Sequence, residues 1–171
     1  MMTSEATKIA VKAPKEPKRF VFVLLDRFNL LSFASAIECL RIANRMAEEE
    51  LYSWVLTGDS EDVITCSAGV RFNLDFALSD LNREDVVLVC GGMDVQKAAT
   101  KRATIHWENH DSFLEEFEDV TLTKSVFVID GNRMSTAGGT SSIDLMLNII
   151  ADDHGEKLAN AVADQQIYSS I

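Results

Sequence analysis

Residues 20–25, Phe20-Val21-Phe22-Val23-Leu24-Leu25, decide the fold. Six apolar, mostly β-favouring residues in an unbroken row put apolar side chains on both sides of the pleat. That is the habit of a strand covered on both faces, as in a parallel sheet flanked by helices. A loop over Asp26 to Asn29 follows. From Leu31 to Glu49, the apolar residues Phe33, Ile37, Leu40, Ile42 and Met46 recur at roughly helical spacing, and Ser32 is the expected N-cap. The chain therefore opens its fold with a βα unit.

Outward from this unit the same signals repeat. Tyr52 to Thr57 reads as a second strand ending at Gly58. Val63 to Ala68 and Val70 to Leu74 flank Gly69, whose freedom at positive φ suits a hairpin turn. Val86-Val87-Leu88-Val89-Cys90 reads as a further buried strand, stopped by Gly91-Gly92. A short helix is expected over Val95 to Lys101, a strand at Ala103 to Ile105 and a helix around His110 to Phe117. Val126 to Ile129 and Arg133 to Thr136 enclose Asp130-Gly131-Asn132, a hairpin signal. Two helices close the chain, Ser141 to Asp153 and Glu156 to Ile167, with Gly155 between them as a C-cap. Strands alternating with helices give a mostly parallel, three-layer α/β sheet with helices on both faces. Met1 to Lys18, with four lysines, two prolines and no periodic apolar pattern, reads as a flexible tail, and one domain is expected over residues 19–171.

Composition narrows the function classes. With 47% hydrophobic and 25% charged residues the chain has ordinary globular usage, and no apolar run approaches the roughly 18 residues of a membrane helix. The start has no apolar core ahead of a small-residue cleavage site, so a cytoplasmic protein with no membrane partner is expected. Cys39, Cys66 and Cys90 show no C-x-x-C spacing and read as reduced thiols. Sixteen Lys and Arg against 27 Asp and Glu leave a net charge of −11, the opposite of the clustered positive charge that nucleic-acid binding demands.

Ligands in such sheets sit at the carboxyl ends of the strands. The loops there hold Asp26 to Asn29, Gly91-Gly92-Met93, His106-Trp107-Glu108 and Ala137-Gly138-Gly139-Thr140. Gly91-Gly92 could offer backbone N–H groups to an oxyanion, and Gly138-Gly139-Thr140 opens a helix whose N-terminus favours a carboxylate; a lone glycine pair is weak evidence, and tight turns are the more ordinary reading of both. Trp107 offers a ring face to a cation, or simply packs. His106 and His110 are four apart, but no third ligand accompanies them, so no metal or cofactor is expected.

Four segments, FVFVLLDRFNLLSFASAIECLRIAN, VVLVCGGMDVQ, RATIHWENHDSF and MSTAGGTSSIDLMLNIIADDHGEKLANAVA, resemble in order the amino-terminal domain of GlxA-type regulators, a branch of the AraC family of transcription factors. That domain is similar to the PfpI/ThiJ, class-I glutamine-amidotransferase-like proteins, which implies a flavodoxin-like fold from about Arg19 to Ile171. Some of these regulators control the catabolism of quaternary amines, which makes such amines candidate effectors. The resemblance further implies that Glu38 points into the site as base or counter-charge and that His106 holds the position of the superfamily's active-site histidine.

Two departures shape the expectation. Val95 to Lys101 runs straight into Arg102, where the superfamily has a strand, a nucleophile-bearing turn and a helix, so that βα unit is expected to be missing and catalysis with it. The family's two helix-turn-helix motifs are also not in this chain, so DNA contact is expected only through a carboxy-terminal region absent from it. The expected function is a non-catalytic sensing and dimerisation domain with a small-molecule effector bound by Glu38, Gly91, Gly92, His106, Trp107, Gly138, Gly139 and Thr140. A hydrolase or amidase using His106 and Glu38, with Cys90 standing in as nucleophile, is the alternative, and a truncated oligomerisation remnant is a third reading. Apolar surface left by the missing unit predicts a homo-oligomer.

Overall fold

The computed structural model describes residues 8–12, 14–58, 62–76, 81–82, 84–91, 102–116, 118–130 and 133–168. Strand β1 (Lys18–Leu24) is the central strand of a parallel sheet, with β2 (Tyr52–Gly58) on one edge and β5 (Val86–Cys90) on the other. Phe20 pairs with Trp54 and Val86, and Leu24 with Gly58 and Cys90, so the three strands end together. Phe20, Val21, Phe22 and Leu24 are fully buried, as the unbroken apolar run requires.

Between β1 and β2 runs α1 (Leu30–Ala47), the crossover helix of the first βα unit. It buries Phe33, Ala36, Cys39, Leu40 and Ala43 against the sheet face of Phe20, Phe22 and Leu24. Near the carboxyl end of the chain, α3 (Ser141–His154) packs against α1, and α4 (Glu156–Gln165) packs on both. Gly155, with φ 89, lets the chain turn from α3 into α4 while its N–H still caps Ala151.

The remaining strands form short pairs. β3 (Val63–Thr65) and β4 (Arg71–Asn73) make the antiparallel hairpin expected around Gly69, whose φ is 80. β6 (Arg102–Ala103) pairs in parallel with β7 (Thr121–Leu122), with α2 (His110–Glu116) between them after a 3-10 turn at Trp107–Asn109. Ala103, Phe113 and Val120 make a small second core there. β8 (Phe127–Asp130) and β9 (Arg133–Thr136) form the second hairpin. The arrangement is the parallel α/β fold that the alternation of strands and helices predicts, and it agrees with the flavodoxin-like fold that the resemblance implies.

Three details differ from the sequence reading. The N-cap of α1 is Asn29, whose side chain accepts from the N–H of Ser32 at 3.1 Å, because Asn29 is held in place by its own N–H donating to Gly91 O. β5 is not buried on both faces: Val86, Leu88 and Cys90 pack on the core, but Val87 and Val89 are 42% and 60% exposed. In the stretch read as a tail, Ile9 is buried in the main core and donates its N–H to Met46 O at 2.9 Å. The helix expected over 95–101 lies outside the described residues.

Candidate functional site

The carboxyl ends of β1 and β5 and the amino ends of α1 and α3 converge. Leu25 N–H donates to Cys90 O at 3.0 Å and Asn29 N–H to Gly91 O at 3.1 Å, which ties the β1–α1 loop to the end of β5. That loop is fixed from below by Phe28, which is fully buried against Phe33 and Phe72 with ring centroids 5.5 Å apart in each pair. Arg27 takes a left-handed backbone with φ 57, and its N–H reaches Thr65 O across to the β3–β4 hairpin.

The loop entering α3 comes to the same place. Gly138 and Gly139 both have left-handed backbones, with φ 87 and 61. A Cβ on Gly138 would lie 4.0 Å from Ser32 Oγ. Gly138 N–H donates to Thr136 Oγ1, and Gly138 O accepts from Ser141 Oγ at 2.7 Å. Thr140 is the N-cap of α3 without a side-chain cap bond, and neither Gly139 nor Thr140 uses its N–H in a hydrogen bond among the described residues. Ser32 Oγ is buried and also without a partner there. A buried hydroxyl with no partner is costly, and two backbone N–H groups at the positive end of a 14-residue helix favour an anion. Together they can hold a carboxylate.

Of the residues predicted for the site, Gly91, Gly138, Gly139 and Thr140 come together here, and Gly92 lies outside the described residues. Asn29 and Ser32 join them. Sequence reading used Ser32 only as a helix cap, and the signal that could have placed it in the site is its position in the first turn of a helix leaving the carboxyl end of the central strand.

Glu38 is elsewhere, two turns along α1. Its carboxylate receives Arg41 Nη2 at 2.7 Å and Nε at 2.9 Å, which holds its pKa below the ordinary carboxylate value, and both side chains are about half exposed. With Gln165 and Gln166 they line a groove between α1 and the end of α4. A carboxylate already gripped by a guanidinium fork has little left for a second cation.

His106 and Trp107 project at the start of the 3-10 turn. His106 Nδ1 accepts from Glu108 N–H at 3.4 Å, its ring centroid is 5.7 Å from that of Trp107, and Trp107 is 71% exposed. His110 Nε2 lies 3.1 Å from Ile105 O, an ordinary structural bond. Thr104 anchors the segment to the β8–β9 hairpin, its N–H donating to Ser135 Oγ and its Oγ1 to Ser125 O. No contact among the described residues joins His106 to a serine or cysteine. Burial pushes the Cys90 thiol up to about 12 and the Cys39 thiol up to about 11, so both stay protonated near neutral pH, where a thiolate nucleophile is needed. Among the described residues no three His, Cys, Asp or Glu side chains gather as a metal site. No described helix is long and apolar enough to cross a membrane.

No protein-family model matches the chain. The HTH-type transcriptional regulator CdhR of Pseudomonas aeruginosa is 36% identical over 188 aligned positions, covering 89% of this chain and 55% of that regulator. The HTH-type transcriptional regulator GlxA of Rhizobium meliloti is 26% identical over 194 positions, covering 90% and 59%. The chain thus spans little more than half the length of these relatives. Both alignments are longer than the 171 residues of the chain. Because the CdhR alignment takes in about 152 of those residues (89% of 171), about 36 of its 188 positions have no counterpart here; for GlxA the same reckoning leaves about 40. Among solved structures, an AraC family transcriptional regulator from Pseudomonas putida superposes with TM-score 0.78 at 21% identity, covering 88% of this chain and all of that one. A ThiJ/PfpI family protein from Pseudomonas syringae superposes with TM-score 0.74 at 15% identity, covering 91% and 77%. By sequence the chain is similar to HTH-type transcriptional regulators over little more than half of their length, and its fold is the flavodoxin-like one it shares with these solved structures.

Proposed function

We propose that this chain is the non-catalytic effector-sensing part of a transcriptional regulator. Its effector is a small zwitterion, a quaternary amine that carries a carboxylate. The observation that carries this reading is the buried, unpartnered Ser32 hydroxyl facing the two-glycine entry to α3, where the Gly139 and Thr140 N–H groups are also free of partners among the described residues. These three donors suit one carboxylate. Trp107, exposed beside His106, supplies the ring face that a quaternary ammonium favours. Glu38, neutralised by Arg41, stays outside the site.

Sensing rather than turnover is supported by the homology to regulators and by the raised thiol pKa of Cys90, which disfavours it as a substitute nucleophile. The protein acts in the cytoplasm as a homo-oligomer, and DNA is contacted through a helix-turn-helix region of the kind the relatives' names describe. A thermal-shift panel tests the ligand. Betaine and carnitine should raise the melting temperature, choline and neutral isosteres should not, and Ser32→Ala or Trp107→Ala should flatten the response. A flat response of the unaltered chain to every carboxylated amine overturns the reading.

A further inference from the structure

Among the described residues the parallel sheet ends at β5, which pairs only with β1 and has no strand of those residues along its other edge. The side chains on the sheet face turned away from the main core, Val87 and Val89, are 42% and 60% exposed, whereas their β1 partners Val21 and Val23 are buried. The uncovered seam carries no charge: the strand reads Val86-Val87-Leu88-Val89-Cys90, and the preceding Asp85 is buried and paired with Arg19 at 3.7 Å. In a chain of net charge −11, a neutral apolar strand edge lets two copies meet without bringing like charges together.

We propose that β5 pairs with β5 of a second copy. The geometry favours this occupant because a strand edge is its own complement. Two identical edges run antiparallel about a two-fold axis satisfy each other's open N–H and C=O groups, and the same axis brings Val87 and Val89 of both copies beside one another. The relatives carry about 36 to 40 positions that this chain lacks, which the sequence reading puts between β5 and β6. A strand inserted there would fill this edge in the relatives. The inference specifies the surface of the homo-oligomer proposed above and does not depend on the effector.

Sedimentation velocity on the unaltered chain over a hundredfold concentration range, without ligand, is the test. A monomer–dimer equilibrium is expected, weakened by about tenfold or more in Val87→Lys and in Val89→Lys, since lysine on an open edge blocks strand addition. Val70→Lys, at an exposed site on the β3–β4 hairpin, should leave it unchanged. Should a lysine variant fail to fold, hydrogen exchange of the unaltered chain decides: the amides of Val86–Cys90 that face away from β1 should gain protection as concentration rises. A monomer at every concentration, a dimer indifferent to both lysines, or exchange at β5 that ignores concentration each overturns the proposal. Because no ligand is present, a failed effector screen and a failed dimer are read separately.

Discussion

Replacing Ser32 by alanine should make the empty protein more stable and the liganded protein less responsive. Ser32 Oγ is buried without a partner among the described residues, and leaving a hydroxyl in that state costs about 1–3 kcal/mol. Deleting the oxygen removes that cost and leaves a void of about 15 Å3, which at about 24 cal/mol per Å3 offsets only about 0.4 kcal/mol. Ser32 also lies in the first turn of α1, where alanine is the better helix former by a few tenths of a kcal/mol. The net gain is about 1–3 kcal/mol, which in a domain of this size raises the melting temperature by about 2–12 °C. Differential scanning calorimetry without ligand, followed by urea titration at 25 °C, reads it. With a carboxylated amine at about a hundred times its dissociation constant, the unaltered chain should gain about 2.7 kcal/mol and Ser32→Ala clearly less. Should Ser32→Ala melt lower than the parent, the hydroxyl is satisfied in solution and does not wait for a ligand.

Three further outcomes follow from the same geometry. Asn29→Ala removes the side chain that caps α1 at the Ser32 N–H and should cost about 0.5–2 kcal/mol by urea unfolding, while the backbone bond of residue 29 to Gly91 O is kept. Gly58→Ala would bring a Cβ to 2.7 Å from Leu24 O at the end of the β1–β2 ladder, so a loss of about 1–3 kcal/mol and a lowered melting temperature are expected. The Cys39 and Cys90 thiols, pushed up by burial to about 11 and about 12 from an ordinary 9.0, favour the neutral form in the folded state. Their contribution is complete below about pH 9 and is lost as pH rises toward the folded values, at up to about 1.4 kcal/mol per pH unit for each thiol. Urea midpoints measured from pH 7 to pH 10.5 should therefore be flat and then fall, and iodoacetamide at pH 7.5 should label neither thiol appreciably in the folded protein.

The sequence made the central layer legible because burial and chain direction are written in local pattern. The unbroken run at Phe20 to Leu25 gave the parallel strand, the spacing of Phe33, Leu40 and Ile42 gave α1, and Gly69 and Gly155 marked turns that need positive φ. Features decided by contacts distant in sequence were not legible. Asn29 and Ser32 are both good caps, and the choice between them rests on a backbone bond to Gly91, 62 residues on. Helical spacing cannot say that Glu38 faces Arg41 and the end of α4 rather than the strand ends, since that depends on where α4 docks. Ile9 stands in a lysine- and proline-rich stretch with no periodicity, yet Met46 O offers it a bond at 2.9 Å. β7 is two residues long, too short for any pattern. Val87 and Val89 read as core because their strand reads as core, yet they are exposed on the sheet face turned away from it.

The most direct measurement is isothermal titration of the purified chain with glycine betaine and carnitine, with the ligand recovered afterwards and its NMR spectrum compared with that of the untreated compound. A sensor predicts saturable binding at one site per chain, weakened in Ser32→Ala, absent with choline, and a ligand that is chemically unchanged after hours of incubation. Absence of binding to both carboxylated amines, or conversion of the ligand that depends on His106 or Cys90, contradicts the account.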